Sequence, residues 1–144
     1  MFFGNYPGTL DEKGRVHIPS ILGKELGDDD QMVVARWGEC LAAFPMPFFE
    51  EMAKSLREEA KLSKDPAKVR KARNIFAGSF AGTFKSGKLL IPQEIRTTFE
   101  LEKKLQIVGM DNKIEIWNQS TWLEQEAPED GSSLRDDLDE FGLL

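Results

Sequence analysis

The chain has 144 residues, 40% of them hydrophobic and 10% aromatic, enough for an ordinary core and too many for a disordered segment. No apolar run reaches the roughly 18 residues that a membrane helix needs, the first residues lack the basic start and apolar stretch of a secretion signal, and the single cysteine, Cys40, excludes an intrachain disulfide and fits a reducing compartment. The net charge of −6 is concentrated at one end: residues 124–144 carry eight acidic side chains against Arg135, which leaves +1 over residues 1–123.

In chain order, Gly8-Thr9-Leu10 leads into the polar turn Asp11–Gly14 and a β-branched strand, Val16-His17-Ile18. Pro19 closes that strand and takes an early position in a short helix over 20–26, where its missing N–H costs nothing. Strands over 32–36 and 41–44 follow, joined by the hairpin turn Trp37-Gly38-Glu39. A helix starts near Pro47, with Phe49, Met52, Leu56 and Ala60 on one apolar stripe. Asp65-Pro66 reads as the cap and first-turn proline of a second helix, whose apolar stripe is Val69, Ala72 and Phe76. Residues 61–73 hold six basic side chains against Asp65, a net of +5. Lys68, Arg70, Lys71 and Arg73 fall mostly off the stripe, on a face that is either solvated or turned toward an anion. Gly82-Thr83-Phe84 then leads into a turn ending at Gly87, a strand over 89–91, Pro92, a helix over 93–99 and strands over 105–109 and 113–117 around Met110-Asp111-Asn112. Ser120 is placed as the N-cap of a last helix before the acidic tail.

The second half repeats the first. Gly14-Arg15-Val16-His17-Ile18-Pro19 aligns with Gly87-Lys88-Leu89-Leu90-Ile91-Pro92 at an offset of 73, and the match runs on through Met32–Ala35 with Leu105–Val108 and Leu41–Phe44 with Ile114–Trp117. The organisation is therefore α+β: repeat 1 over 5–48, a helical αα connection over 49–75, repeat 2 over 76–123 and an acidic tail over 124–144. A β-hairpin and short-helix unit of about 50 residues buries too little apolar surface alone, so the two are expected to share one core. Strand edges left over would favour a homo-oligomer.

Little catalytic chemistry is visible. His17 sits inside a strand with no second histidine to share a metal, Cys40 reads as a small buried residue, and no metal-spaced Cys/His cluster, nucleophile elbow or phosphate-binding loop occurs. No cofactor and no small-molecule substrate are expected. The informative feature is Asp11-Glu12-Lys13-Gly14-Arg15. Asp11 can pair with Arg15 or with turn N–H groups, fixing a planar guanidinium suited to phosphate or to guanine edges.

These residues carry a family resemblance. Leu10 to Pro19 is similar to the Leu-Asp-x-x-Gly-Arg-x-x-x-Pro signature of the bacterial MraZ family, and Gly87–Pro92 with Val108-Gly109 and Glu115-Ile116-Trp117 resembles that family's second repeat. The likeness covers roughly residues 1–123, including the basic segment Arg70–Phe76. It implies two AbrB-like units of the swapped-hairpin type forming a small barrel, and a ring-shaped homo-oligomer. It also implies a transcriptional regulator that is cytoplasmic and nucleoid-associated. Such a regulator binds short direct repeats of double-stranded DNA at the promoter of the division and cell-wall gene cluster that includes its own gene. Carried onto this sequence, the DNA-contacting turn is Asp11 and Arg15, with Lys13 beside them. The second turn departs from the signature. At the fixed offset Asp11 meets Phe84, whereas aligning Gly-Thr with Gly-Thr removes one residue from the turn; on either alignment no aspartate is present and Lys88 replaces Arg15. Lys85, Lys88 and the helix residues Arg70, Lys71 and Arg73 are expected to add electrostatic affinity. The tail, with Leu134, Leu138, Phe141, Leu143 and Leu144 among its acids, reads as a solubilising segment, a partner-binding helix or an acidic mimic of DNA. The competing class is an oligomeric protein-interaction module that binds no DNA.

Overall fold

The computed structural model describes residues 1–62, 64–125 and 133–144, and among these eight strands and six helices run in two matching sets. The first is β1 (Asn5–Thr9), β2 (Arg15–His17), α1 (Ser20–Gly23), β3 (Gln31–Trp37), β4 (Cys40–Pro45) and α2 (Met46–Leu62). After α3 (Pro66–Ala77) come β5 (Ser79–Lys85), β6 (Lys88–Leu90), α4 (Gln93–Phe99), β7 (Lys104–Met110), β8 (Lys113–Asn118) and α5 (Gln119–Gln125), followed by α6 (Leu134–Glu140). Pro19 and Pro92 stand at the N-cap, one residue earlier than expected, because each is still extended, with ψ of 137° and 141°. Helix α1 stops at Gly23, short of the expected 26, as the chain turns through Lys24–Leu26. Ser120 lies inside α5 rather than at its cap, and its hydroxyl donates to Glu102 Oε1 at 3.3 Å. Asp65 does cap α3, accepting from the Ala67 amide at 3.0 Å ahead of Pro66.

All eight strands form one antiparallel sheet in the order β1-β7-β8-β4-β3-β5-β6-β2, and a bridge from Leu10 to Val16 brings β1 back to β2 and nearly closes a barrel. The first strand of each repeat pairs with the third strand of the other, β1 with β7 and β5 with β3, while β2–β6 and β4–β8 join like strands. Exchanging the two sets of labels reproduces the same circuit, so the barrel has an internal pseudo-twofold. Register settles the alignment of the turns. Gly8 and Thr9 face Leu105 and Lys104, as Gly82 and Thr83 face Met32 and Gln31, so the first turn is one residue longer than the second.

The core obeys the same symmetry. Val16 and Leu89, Ile18 and Ile91, Leu22 and Ile95, Met32 and Leu105, Val34 and Ile107, Leu41 and Ile114, and Ala43 and Ile116 are all buried, and each pair is 73 residues apart. Alternation along the strands sends these side chains inward. Outside the barrel, Phe48 of α2 stacks on Phe44 with centroids 5.7 Å apart, and Trp122 of α5 meets Trp117 edge-on at 5.6 Å. The α3 stripe departs from expectation: Ala72 is buried, but Val69 and Phe76 are 39% and 42% exposed, as is Ile75 at 48%. Phe76 of α3 meets Phe49 of α2 edge-on, with ring centroids 6.5 Å apart. A groove of about 570 Å³, lined by Trp37, Phe49, Met52, Leu56, Ile75 and Phe76 among others, remains between the α2–α3 hairpin and the sheet.

Candidate nucleic-acid interface

The two repeat turns flank the β2–β6 ribbon. Arg15 faces Leu90, Val16 faces Leu89 and His17 faces Lys88, and the ribbon continues where Ile91 N–H donates to Gly14 O and Ile18 N–H to Gly87 O, each at 2.9 Å. Val16 and Leu89 fill the barrel, so alternation places Arg15, His17, Lys88 and Leu90 together on the outer face. The first turn stands at one end of this face and the second at the other.

The first turn is built around one carboxylate. Asp11 Oδ1 accepts from the amides of Lys13 and Arg15, and Oδ2 accepts from Arg15 Nε, all at 2.9 Å. These contacts, the Arg15 amide foremost, hold the Asp11 carboxyl below its usual range although burial opposes them. Both readings of Asp11 made from the sequence are thus realised at once: it pairs with Arg15 and ties the turn amides. Gly14 has φ of +83°, a backbone state that glycine adopts at no steric cost. Among the described residues only Nε of the Arg15 guanidinium is engaged, which leaves the outer edge of a fixed fork available to a ligand.

The second turn differs in three ways. Ser86 and Gly87 have φ of +52° and +75°, the signature of a tight two-residue hairpin. The barrel register puts Lys85, not Phe84, at the position of Asp11, so Lys85 faces Lys88 where the first repeat has an acid–base pair. Finally, the loop beside it is acidic: Ser86 N–H donates to Asp28 Oδ1 at 2.7 Å, Phe84 N–H to Asp30 O at 2.8 Å, and Lys85 Nζ lies 3.5 Å from Asp29 Oδ1. That last pair is two-thirds exposed and worth little. At the first turn the corresponding loop, Leu101-Glu102-Lys103, holds one acid and one base and is followed by Lys104, and the Lys103 carbonyl accepts from Leu10 N–H at 2.9 Å. Local charge therefore favours an anion at the first turn more than at the second.

Asp11, Lys13, Arg15, Lys85 and Lys88 thus come together on and around one ribbon. Arg70, Lys71 and Arg73 do not join them. They are exposed on α3, which enters β5 at Ser79, the end opposite Lys85 and a strand length of about 20 Å away. No hydrogen bond or ion pair among the described residues links them to either turn. Reading from the sequence missed Lys103 and Lys104, and the acidic run Asp28–Asp30; the 73-residue offset applied to the loop between α1 and β3 exposes that contrast. It also missed Arg96 of α4, whose guanidinium lies against Gly14. Among the described residues no group of three His, Cys, Asp or Glu side chains is placed to hold a metal, and no helix is long and apolar enough to cross a membrane. Much of the acidic run of the tail, Glu126, Glu129 and Asp130, lies outside the described residues; in the remainder, α6 carries a capping box at Ser133 and Asp136.

Comparison with known proteins extends the likeness past residue 123, through the connection between the repeats and into the tail. The family model described as MraZ protein matches residues 1–72 and 81–140. A transcriptional regulator MraZ from Leuconostoc mesenteroides is 32% identical over 147 residues, spanning 99% of this chain and 100% of its own length. One from Pediococcus pentosaceus is 33% identical, with the same shares. One from Cutibacterium acnes is 36% identical over 125 residues, covering 85% of this chain and 84% of its own.

Proposed function

Because this chain belongs to the MraZ family of transcriptional regulators, we propose that it is a sequence-specific DNA-binding regulator that reads double-stranded DNA through the first turn. The observation that carries the proposal is the Asp11–Arg15 arrangement. A carboxylate with all its bonds inside the turn fixes a guanidinium on an outward ribbon, beside Lys13 and flanked by Lys88. A planar donor fork suits guanine edges and phosphates, and lysines suit phosphates alone. One such turn reads few bases. Affinity then comes from several protomers engaging short direct repeats together, by effective concentration. The target is the promoter of the division and cell-wall cluster that includes the protein's own gene, the protomers are joined in a ring, and the protein is cytoplasmic and nucleoid-associated. The protein acts as a binder and not as an enzyme, a reading favoured by the naming of its relatives as regulators.

The test is fluorescence anisotropy with DNA from immediately upstream of the gene, scrambled DNA and several salt concentrations. Wild type should bind the upstream DNA tightly and with strong salt dependence. Arg15→Ala should lose that preference, with a loss of more than tenfold that is amplified by multivalency. Arg15→Ala binding as tightly as wild type would remove Arg15 from the interface. Failure of the wild-type oligomer to bind any DNA would favour instead a protein-interaction module using the apolar α2–α3 groove.

A further inference from the structure

We infer that Arg96, carried by α4 of the second repeat, is a phosphate-contacting residue of the first turn, so that the reading unit is assembled across the two repeats and occurs once per chain. The inference rests on the regulator reading above and adds to it a residue from outside the signature turn.

Arg96 Nε donates to Ile91 O at 2.9 Å, and Ile91 N–H donates to Gly14 O at 2.9 Å, so the arginine and the turn are tied to one residue of the ribbon. A Cβ on Gly14 would lie 2.5 Å from Arg96 Cζ and 2.8 Å from Nη2. The guanidinium therefore occupies the space that only glycine leaves open, one residue from Arg15. This explains the glycine twice over, by its φ of +83° and by the arginine set against it. Arg96 is half-buried, yet no carboxylate among the described residues lies within 4 Å of it. A partly desolvated guanidinium with one donor used and no counter-charge is an incomplete arrangement, and an anion bridged by its remaining N–H groups completes it. With Asp11 taken up by Arg15, the turn and its neighbouring loop carry Lys13, Lys103 and Lys104 against Glu12 and Glu102, so the anion expected there is a phosphate of the DNA whose bases Arg15 meets.

The pseudo-twofold supplies an internal control. By the 73-residue offset the counterpart of Arg96 is Gly23, whose missing Cβ would meet the Phe84 ring at 3.2 Å. The side chain nearest the open side of Gly87 is His17, at 3.7 Å. The second turn thus lacks the aspartate, the reading arginine and the supporting arginine together, and faces Asp28–Asp30 in their place. One complete unit remains in each chain.

The experiment uses the full chain on the same upstream and scrambled DNA, with Arg96→Ala, Arg96→Met and Arg15→Ala, each checked by thermal unfolding. Arg96→Met keeps an apolar stem near Gly14 without the charge and serves if the alanine variant does not fold. Loss of a phosphate contact should weaken binding to both DNAs together, by about tenfold, and make the slope of log affinity against log salt shallower by about 1. The preference for upstream over scrambled DNA should persist, in contrast to Arg15→Ala. If the Arg96 variants keep wild-type affinity and slope while Arg15→Ala has lost binding, the inference is overturned and the regulator reading stands. If they lose the sequence preference as Arg15→Ala does, Arg96 positions the turn and does not contact phosphate. If wild type binds no DNA, the regulator reading fails and the inference falls with it.

Discussion

A single methyl group at Gly82 tests the close approach of β5 to β6 directly. Gly82 lies on β5 opposite Met32, and a Cβ there would sit 2.5 Å from Leu90 O and 3.2 Å from Val34 Cγ2. An ordinary carbon–oxygen contact is about 3.3 Å, so the shortfall is roughly 0.8 Å. The obstructing oxygen is backbone, on a strand pinned by β5 on one side and β2 on the other, and it has no rotamer to escape into. Overpacking of this kind costs about 1–3 kcal/mol, against which the stiffer unfolded chain of the alanine variant returns about 0.4–1 kcal/mol. The repeat-equivalent Gly8 gives the contrast. Its Cβ would meet Ile107 Cγ1 at 2.8 Å, a side chain that can yield, so Gly8→Ala should be the milder change. Thermal unfolding followed by circular dichroism at one fixed protein concentration should place Gly82→Ala several degrees below wild type, at roughly 2–4 °C per kcal/mol for a chain of this length. A Gly82→Ala protein as stable as wild type, or more stable than Gly8→Ala, would refute the close approach of β5 to β6.

Two further outcomes follow from individual groups. Asp11 has a folded pKa below its ordinary 3.8, so its contribution is full above that value and is lost as pH falls through the lower folded one. Urea midpoints measured from pH ~5 down to ~2.5 should therefore fall more steeply for wild type than for Asp11→Asn, and equal slopes would contradict the turn geometry. The Cys40 thiol is pushed up to about 12, chiefly by burial and then by the charge of Glu115, with Lys113 opposing. It should resist iodoacetamide at pH ~8 in the native protein and react readily in urea; rapid native labelling would show that β4 is not packed as described.

Much of this arrangement was legible in the sequence because the signals were periodic. Seven buried pairs at one offset mark the inward faces of both repeats, and the αβ order followed from proline and glycine punctuation. The second-repeat helix, Gln93–Phe99, was readable from the proline before it and from its place in the repeat. Contacts distant in sequence were not legible. Nothing in composition says that β1 pairs with β7 and not with β3, an arrangement implied only by family likeness. The one-residue difference between the turns was ambiguous by alignment and was decided by strand register. Lys85 opposite Lys88, the acidic loop beside them and Arg96 against Gly14 are all tertiary facts, and each bears on which turn binds. The α3 stripe misled because Val69 and Phe76 have helical spacing whether or not a partner covers them.

The exchange of strands between repeats also governs how the chain comes off the ribosome. Asn5 finds its partner at Val108, and β3 cannot cover its edge until β5 has been made. At typical rates of synthesis β1 stays unpaired for roughly 5–20 s. Through that interval all four strands of the first repeat lack partners whose natural source is a second repeat, whichever molecule it belongs to. Neighbouring nascent chains on one message can satisfy one another reciprocally. Crowded translation should therefore yield interlocked dimers that slow dilution does not, a kinetic hazard written into the same pairing that gives the finished barrel its symmetry.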